Sequence, residues 1–152
     1  AKMAETGAVI GGESSGGLTV RGHIPGKDGV YAGSLLVEAV AASGKRLSEL
    51  NADIVARYGE LVMVENAYGF TAERRTELQE RIFGAHDLPA FTPDVERVSW
   101  EDGCKVYFTC GGWVTIRFSG TEPLLRVFAE MPTGDEARAT AAAVASHYGL
   151  DA

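Results

Sequence analysis

The chain has few of the residues that stabilise proteins by covalent bonds or metal ions. Two of its 152 residues are cysteine and three are histidine. Without a matching second pair of cysteines, neither a disulfide framework nor a four-ligand zinc site is expected. No apolar run is long enough to cross a bilayer, and Ala1-Lys2-Met3-Ala4-Glu5 has no signal-peptide pattern, so a cytoplasmic location without membrane contact is the expectation. An excess of positive charge is also missing. Fourteen Lys and Arg against 21 Asp and Glu leave a net charge of −7. That balance repels a nucleic-acid backbone and argues against nucleic acid as a partner. Internal repeats and low-complexity tracts are absent too. What is present, 45% hydrophobic and 23% charged residues, suffices for one good core and part of another.

The two cysteines fall in Cys104-Lys105-Val106-Tyr107-Phe108-Thr109-Cys110, whose even positions are apolar and odd ones more polar. This alternation predicts a strand. Both thiols then share its buried face about 20 Å apart at roughly 3.3 Å per residue, too far to bridge, as reduced core thiols.

Residues 7–11 predict one short buried strand. A helix follows over 29–43, with Asp28 as N-cap, Leu35, Leu36, Ala39 and Val40 inside and Gly44 past its end. Ser48 is placed to cap a second helix that buries Leu50, Ile54 and Val55 and stops at Gly59. One strand and two helices cannot bury themselves as an α/β domain, so residues 1–58 are expected to be part of a larger one. Residues 59–152 have a complete pattern. A strand opens at Leu61 and Thr71 caps a helix with Leu78 and Ile82 inside. After a Pro- and Gly-containing loop over 84–94, strands recur near 95–100, 104–110, 113–118 and 124–130. The closing helix starts at Thr133, where Thr133 and Glu136 form a capping box. The predicted class is α+β, an antiparallel sheet with helices on one face, preceded by a partial α/β domain.

The densest chemistry lies in Arg117-Phe118-Ser119-Gly120-Thr121-Glu122-Pro123, with Arg126 just beyond. Two guanidinium groups, two hydroxyls and a flexible glycine suit a phosphate monoester, which offers several acceptor oxygens and about two negative charges. Alternation sends Arg117 and Ser119 out on one side of the preceding strand. Read without the arginines, Ser-Gly-Thr is an ordinary hairpin turn. A carboxylate at Glu122 would repel a phosphate, so its expected role is to stabilise the loop. A second stretch, Gly11-Gly12-Glu13-Ser14-Ser15-Gly16-Gly17, puts a carboxylate and a hydroxyl among glycines, a pair suited to adjacent sugar hydroxyls or simply to a solvated turn. The third is His23-Ile24-Pro25-Gly26-Lys27-Asp28-Gly29, where, taken alone, Lys27 reads as a solvated charge and His23 as a structural or exposed group. His147 is expected to face solvent near the C-terminal end of the last helix.

These three stretches, in this order, resemble the α-D-phosphohexomutases, which include phosphoglucomutase and phosphomannomutase. The resemblance covers nearly the whole chain. It implies the end of the third of four domains (1–58) and the whole fourth (59–152), the latter similar in fold to TATA-box-binding protein. It also implies roles. Glu13 and Ser15 would contact sugar hydroxyls, with Lys27 and His23 beside them, while Arg117, Ser119, Gly120, Thr121 and Arg126 would hold phosphate. The implied partners are a hexose phosphate and the upstream domains of the same protein, with self-association through the incomplete third domain as a further expectation. The family's phosphoserine and its Mg²⁺ ligands belong to earlier domains, and the acidic Asp-Gly-Asp stretch of its metal loop does not occur here. No catalytic residue and no metal ligand is therefore expected in this chain, which by itself would be inactive. Gly17, where other members carry histidine after Ser-Gly, leans toward phosphoglucomutase over a phosphomannose or phosphoglucosamine preference. A free-standing phosphosugar-binding module and a structural domain with ordinary turns are the alternatives.

Overall fold

A computed structural model describes residues 2–13 and 16–150. The chain divides into two compact units, Ala1–Tyr58 and Gly59–Ala152.

The first unit contains α1 (Lys2–Thr6), the two short strands β1 (Ile10–Gly12) and β2 (Leu18–Val20), then α2 (Gly29–Ser43) and α3 (Leu47–Tyr58). β1 and β2 pair antiparallel, Ile10 opposite Val20. Neither α1 nor β2 was expected from the pattern, and the strand predicted over 7–11 is displaced to 10–12. The bounds and caps of α2 are as predicted. Asp28 accepts from the N–H groups of Val30 and Tyr31, and Gly44 closes the helix at φ 67°. Its inner face differs: Leu35 and Val40 are half-buried, whereas Leu36 and Ala39 are exposed. Ser48 is not the cap of α3 but lies in its first turn. Glu49 instead reaches back to the N–H of Arg46 at 2.7 Å, the N3-to-N-cap half of a capping box, which starts the helix two residues earlier. Among the described residues, none in this unit is fully buried.

The second unit is one antiparallel sheet in the order β3-β7-β6-β5-β4, formed by Val62–Gly69, Leu124–Met131, Trp113–Phe118, Cys104–Phe108 and Val95–Ser99. Period-two alternation turns Cys104, Val106, Phe108, Val114, Ile116, Leu125, Val127, Ala129 and Met131 inward, all buried. On them lie α4 (Ala72–Gln79), prolonged by a π-helical turn (Glu80–Gly84), and α5 (Gly134–Tyr148). Leu78 and Ile82 from the former and Ala141, Val144 and Tyr148 from the latter complete the core. This is the α+β architecture expected. Thr71 caps α4, and Thr133 with Glu136 forms the capping box of α5. Two readings are corrected. β5 ends at Phe108, so Cys104 is buried but Cys110 stands exposed in the following turn. The turn forms because Gly111, at φ 89°, donates to the carbonyl of Phe108 and closes a tight connection to β6. His147, instead of facing solvent freely, lies 2.8 Å from Asp87. Among the described residues, no helix is long and apolar enough to cross a membrane.

Candidate phosphosugar-binding site

The strand register brings the cradle arginines together. β6 and β7 pair so that Phe118 faces Leu125 and Arg117 faces Arg126. Phe118 and Leu125 belong to the core side, so both arginines emerge on the opposite face of the sheet, as directly opposed cross-strand neighbours. Like charges in that position destabilise a sheet. The chain meets the cost with carboxylates. Arg117 Nη1 lies 3.1 Å from Asp102 Oδ2, and Arg126 Nη2 donates to Glu122 Oε2 at 3.1 Å. Glu122 thus stabilises the loop, through Arg126 and through its N–H, which donates to Ser119 Oγ at 3.3 Å.

The hairpin tip is held by two backbone bonds, Ser119 N–H to the carbonyl of Leu124 and Leu124 N–H to that of Glu122, both 2.8 Å. Gly120 and Thr121 are exposed at its end, and no atom crowds the place where a Cβ on Gly120 would stand. Arg117, Phe118, Ser119, Gly120, Thr121, Arg126 and Phe128 line a cavity of about 190 Å³. All five residues assigned to phosphate are thus gathered in one place. Two guanidinium groups, two hydroxyls and an open backbone turn can meet a phosphate monoester from several directions.

In the first unit the glycine stretch is the tip of the β1–β2 hairpin. Glu13 N–H donates to Gly17 O (3.0 Å) and Gly16 N–H to Glu13 O (2.9 Å), with Gly16 at φ 84°. Ser15 lies outside the described residues. Lys27 lies across this tip. Its side chain passes so close to Gly17 that a Cβ there would stand 2.6 Å from Lys27 Cδ, and its ammonium pairs with the Glu13 carboxylate. The second and third sequence stretches therefore meet, and Gly17 is the residue that lets them. His23 bonds Asp28 Oδ2 at 2.9 Å and stacks on Tyr31 with centroids 4.0 Å apart. Asp28 is held below the usual carboxylate range, first by the Tyr31 N–H and then by His23. His23 thus ties the loop to the N-terminus of α2, with Thr19 Oγ1 donating to Gly26 O (3.1 Å) as a second tie.

Sequence reasoning missed Asp102. Its carboxylate is local to the cradle only because β5 lies beside β6, a neighbourhood that sequence spacing does not reveal.

Comparison with known proteins gives the same assignment to both units. Residues 1–58 match the family profile described as phosphoglucomutase/phosphomannomutase, alpha/beta/alpha domain III, and residues 62–147 match the profile of the C-terminal domain of the same enzymes. The chain belongs to the phosphoglucomutase/phosphomannomutase family. Among family relatives, a phosphoglucomutase/phosphomannomutase of Thermococcus kodakarensis is 32% identical over 136 residues, 90% of this chain and 27% of the relative. A phosphoglucosamine mutase of Salinispora arenicola is 34% identical over 144 residues, 95% of this chain and 28% of the relative. The chain therefore spans little more than a quarter of the length of these family members. In fold it is similar to a crystal structure of a phosphoglucomutase/phosphomannomutase family protein from Burkholderia thailandensis, with TM-score 0.66 and 22% identity over 97% of this chain and 30% of that one.

Proposed function

We propose that this chain is the substrate-binding C-terminal portion of a phosphohexomutase that interconverts hexose 1-phosphate and hexose 6-phosphate through a bisphosphate, with glucose as the preferred sugar. The observation that carries the reading is the opposed Arg117–Arg126 pair at the Ser119-Gly120-Thr121 tip. A sheet gains nothing from two guanidinium groups face to face, whereas a phosphate offers such a pair more charge and more acceptor oxygens than the exposed carboxylates that balance it here. In this reading the cradle grips the phosphate that does not react. The binding energy gained there orients the other end of the sugar for phosphoryl transfer, which is done by groups on earlier domains. Glu13, Ser15, His23 and Lys27 take the sugar side, where a carboxylate and an ammonium recognise hydroxyls by direction. Mg²⁺ is proposed for the full-length enzyme. Among the described residues no group of three His, Cys, Asp or Glu could hold a metal ion, and nothing in the binding described here needs one. The chain alone is then a binder without mutase activity, and the thiols, both free, suit a cytoplasmic setting.

Replacing Arg117 by Ala in the full-length enzyme is expected to weaken phosphosugar binding by about 1.5–3 kcal/mol, the worth of a lost charge-assisted contact, without lowering the melting temperature. Unchanged kcat and KM with normal melting would return the loop to an ordinary turn. Sugar preference is a separate matter, since the relatives named above include a phosphoglucosamine mutase. Hydroxyl contacts depend on stereochemistry and phosphate contacts do not. Glu13→Gln should change the relative kcat/KM for glucose, mannose and glucosamine phosphates, whereas Ser119→Ala should lower all three by one similar factor. Equal losses across sugars for Glu13→Gln would remove Glu13 from the sugar site.

A further inference from the structure

We infer that Asp102 is a built-in occupant of the phosphate cradle, an internal carboxylate that a substrate phosphate must displace from Arg117 and that thereby sets the cradle's affinity. The inference rests on the phosphate-binding reading of the Arg117–Arg126 pair. The cradle is charge-balanced, with Arg117 and Arg126 facing Asp102 and Glu122. The two carboxylates are held differently. Glu122 lies within the hairpin and hydrogen-bonds Arg126, whereas Asp102 comes from the turn before β5 and meets Arg117 as an ion pair of 3.1 Å.

That turn is fitted against β6. Gly103 has φ 80°, and a Cβ on it would stand 2.7 Å from the Ile116 carbonyl oxygen and 3.2 Å from Arg117 Cβ. Only glycine allows the approach, and the approach delivers the preceding carboxylate to the Arg117 side chain. The contact is also easily given up. Asp102 is 72% exposed and Arg117 55% exposed, so water can solvate the carboxylate once it is released. A phosphate dianion offers more charge and more acceptor oxygens than one carboxylate and wins the exchange. The ion pair lost in that exchange lowers the apparent affinity by the amount an exposed pair is worth, a factor of about 1.5–5.

The test is titration of the chain with glucose 6-phosphate by NMR, comparing Kd for the parent, Asp102→Asn, Arg117→Ala, the double variant, and Asp135→Asn. Asp135 pairs with Arg138 on α5, outside the residues that line the cradle, and controls for the change in net charge. Asp102→Asn is expected to tighten binding about 1.5- to 5-fold, Asp135→Asn to leave it unchanged, and the gain to vanish when Arg117 is already Ala. Three results would overturn the inference. One is unchanged or weaker binding by Asp102→Asn, which would make Asp102 neutral or a positioning group. Another is an equal gain from Asp135→Asn, and the third is a gain that persists without Arg117, which would reduce the effect to general repulsion. Failure of the parent chain to bind, or indifference of Kd to Arg117→Ala, would instead strike the phosphate-binding reading itself and the inference with it.

Discussion

Cys104 and Cys110 show how far a single side chain's chemistry is set by its place. Burial pushes the Cys104 thiol up to about 11, whereas Cys110 is exposed in the turn between β5 and β6. Thiolate is the reactive form, so a native sample is expected to titrate one thiol rapidly with a chromogenic disulfide and two after denaturation. Two fast thiols in the native state would mean that the sheet opens at β5. The alternation that places Cys104 was legible in the sequence; the end of the strand was not, because Thr109 and Cys110 continue the pattern while Gly111 breaks it through a positive φ. The same limit applied to the site. Arg117, Ser119 and Thr121 could be read as one cradle from spacing alone. That Arg126 stands directly opposite Arg117, and that Asp102 reaches it from the turn before β5, depended on hairpin register and sheet order, which are properties of the fold.

Among the elements, helices capped at both ends were legible to their boundaries, the alternating strands of the sheet were legible to within a residue or two, and the shortest elements were not legible at all. α2 and α5 have an N-cap side chain and a left-handed glycine at the far end, so both boundaries are written locally. β2 has three residues and α1 five, too few for any periodicity to show. Tertiary ties at helix ends were equally hidden. Asp87, in the loop after the π turn, accepts from Arg81 Nε at 2.9 Å and lies 2.8 Å from His147 on α5, while Tyr148 Oη donates to its carbonyl at 2.5 Å. Arg81 first, and His147 after it, hold the Asp87 carboxyl below its ordinary value of 3.8. Because the folded state binds that proton more weakly than the unfolded one, the tie contributes fully above the unfolded value and fades as pH falls through the folded one. Asp87→Asn is therefore expected to lower the melting temperature near neutral pH, and the gap to the parent should close in acid. A gap that does not change between pH 7 and pH 3 would show that the carboxylate charge plays no part.

At the scale of the molecule the two units differ in how much they bury. Every fully buried residue among those described lies between Tyr68 and Tyr148, while the first unit leaves Val9, Ile10, Ile24, Val30, Leu36, Val37, Leu47 and Ile54 exposed. So much exposed apolar surface on a small segment is surface made to be covered, which the pattern of one predicted strand and two helices already implies. We propose that the upstream domains of the same protein cover it, with pairing of copies as the alternative when those are missing. A chain of residues 59–152 alone is expected to fold with a cooperative melt, and in the whole chain slow amide exchange should be confined to that unit. Protection of α2 or α3 comparable with that of β6 and β7 would refute this.

The order of strands in the sheet also governs how copies of the chain meet in concentrated solution. An open sheet has two margins, and here they are β3 and β4. β4 is short and irregular, its pairing with β5 slipping between Val95 and Arg97, and it carries Glu96 and Arg97, features that discourage a stranger's backbone from adding on. β3 has eight residues in unbroken register with β7 and only Glu65 as a charged guard. If aggregates form by strand addition, Val62–Gly69 is the seam along which they grow, and a lysine in place of Met63, a residue 39% exposed, is the smallest change that would close it.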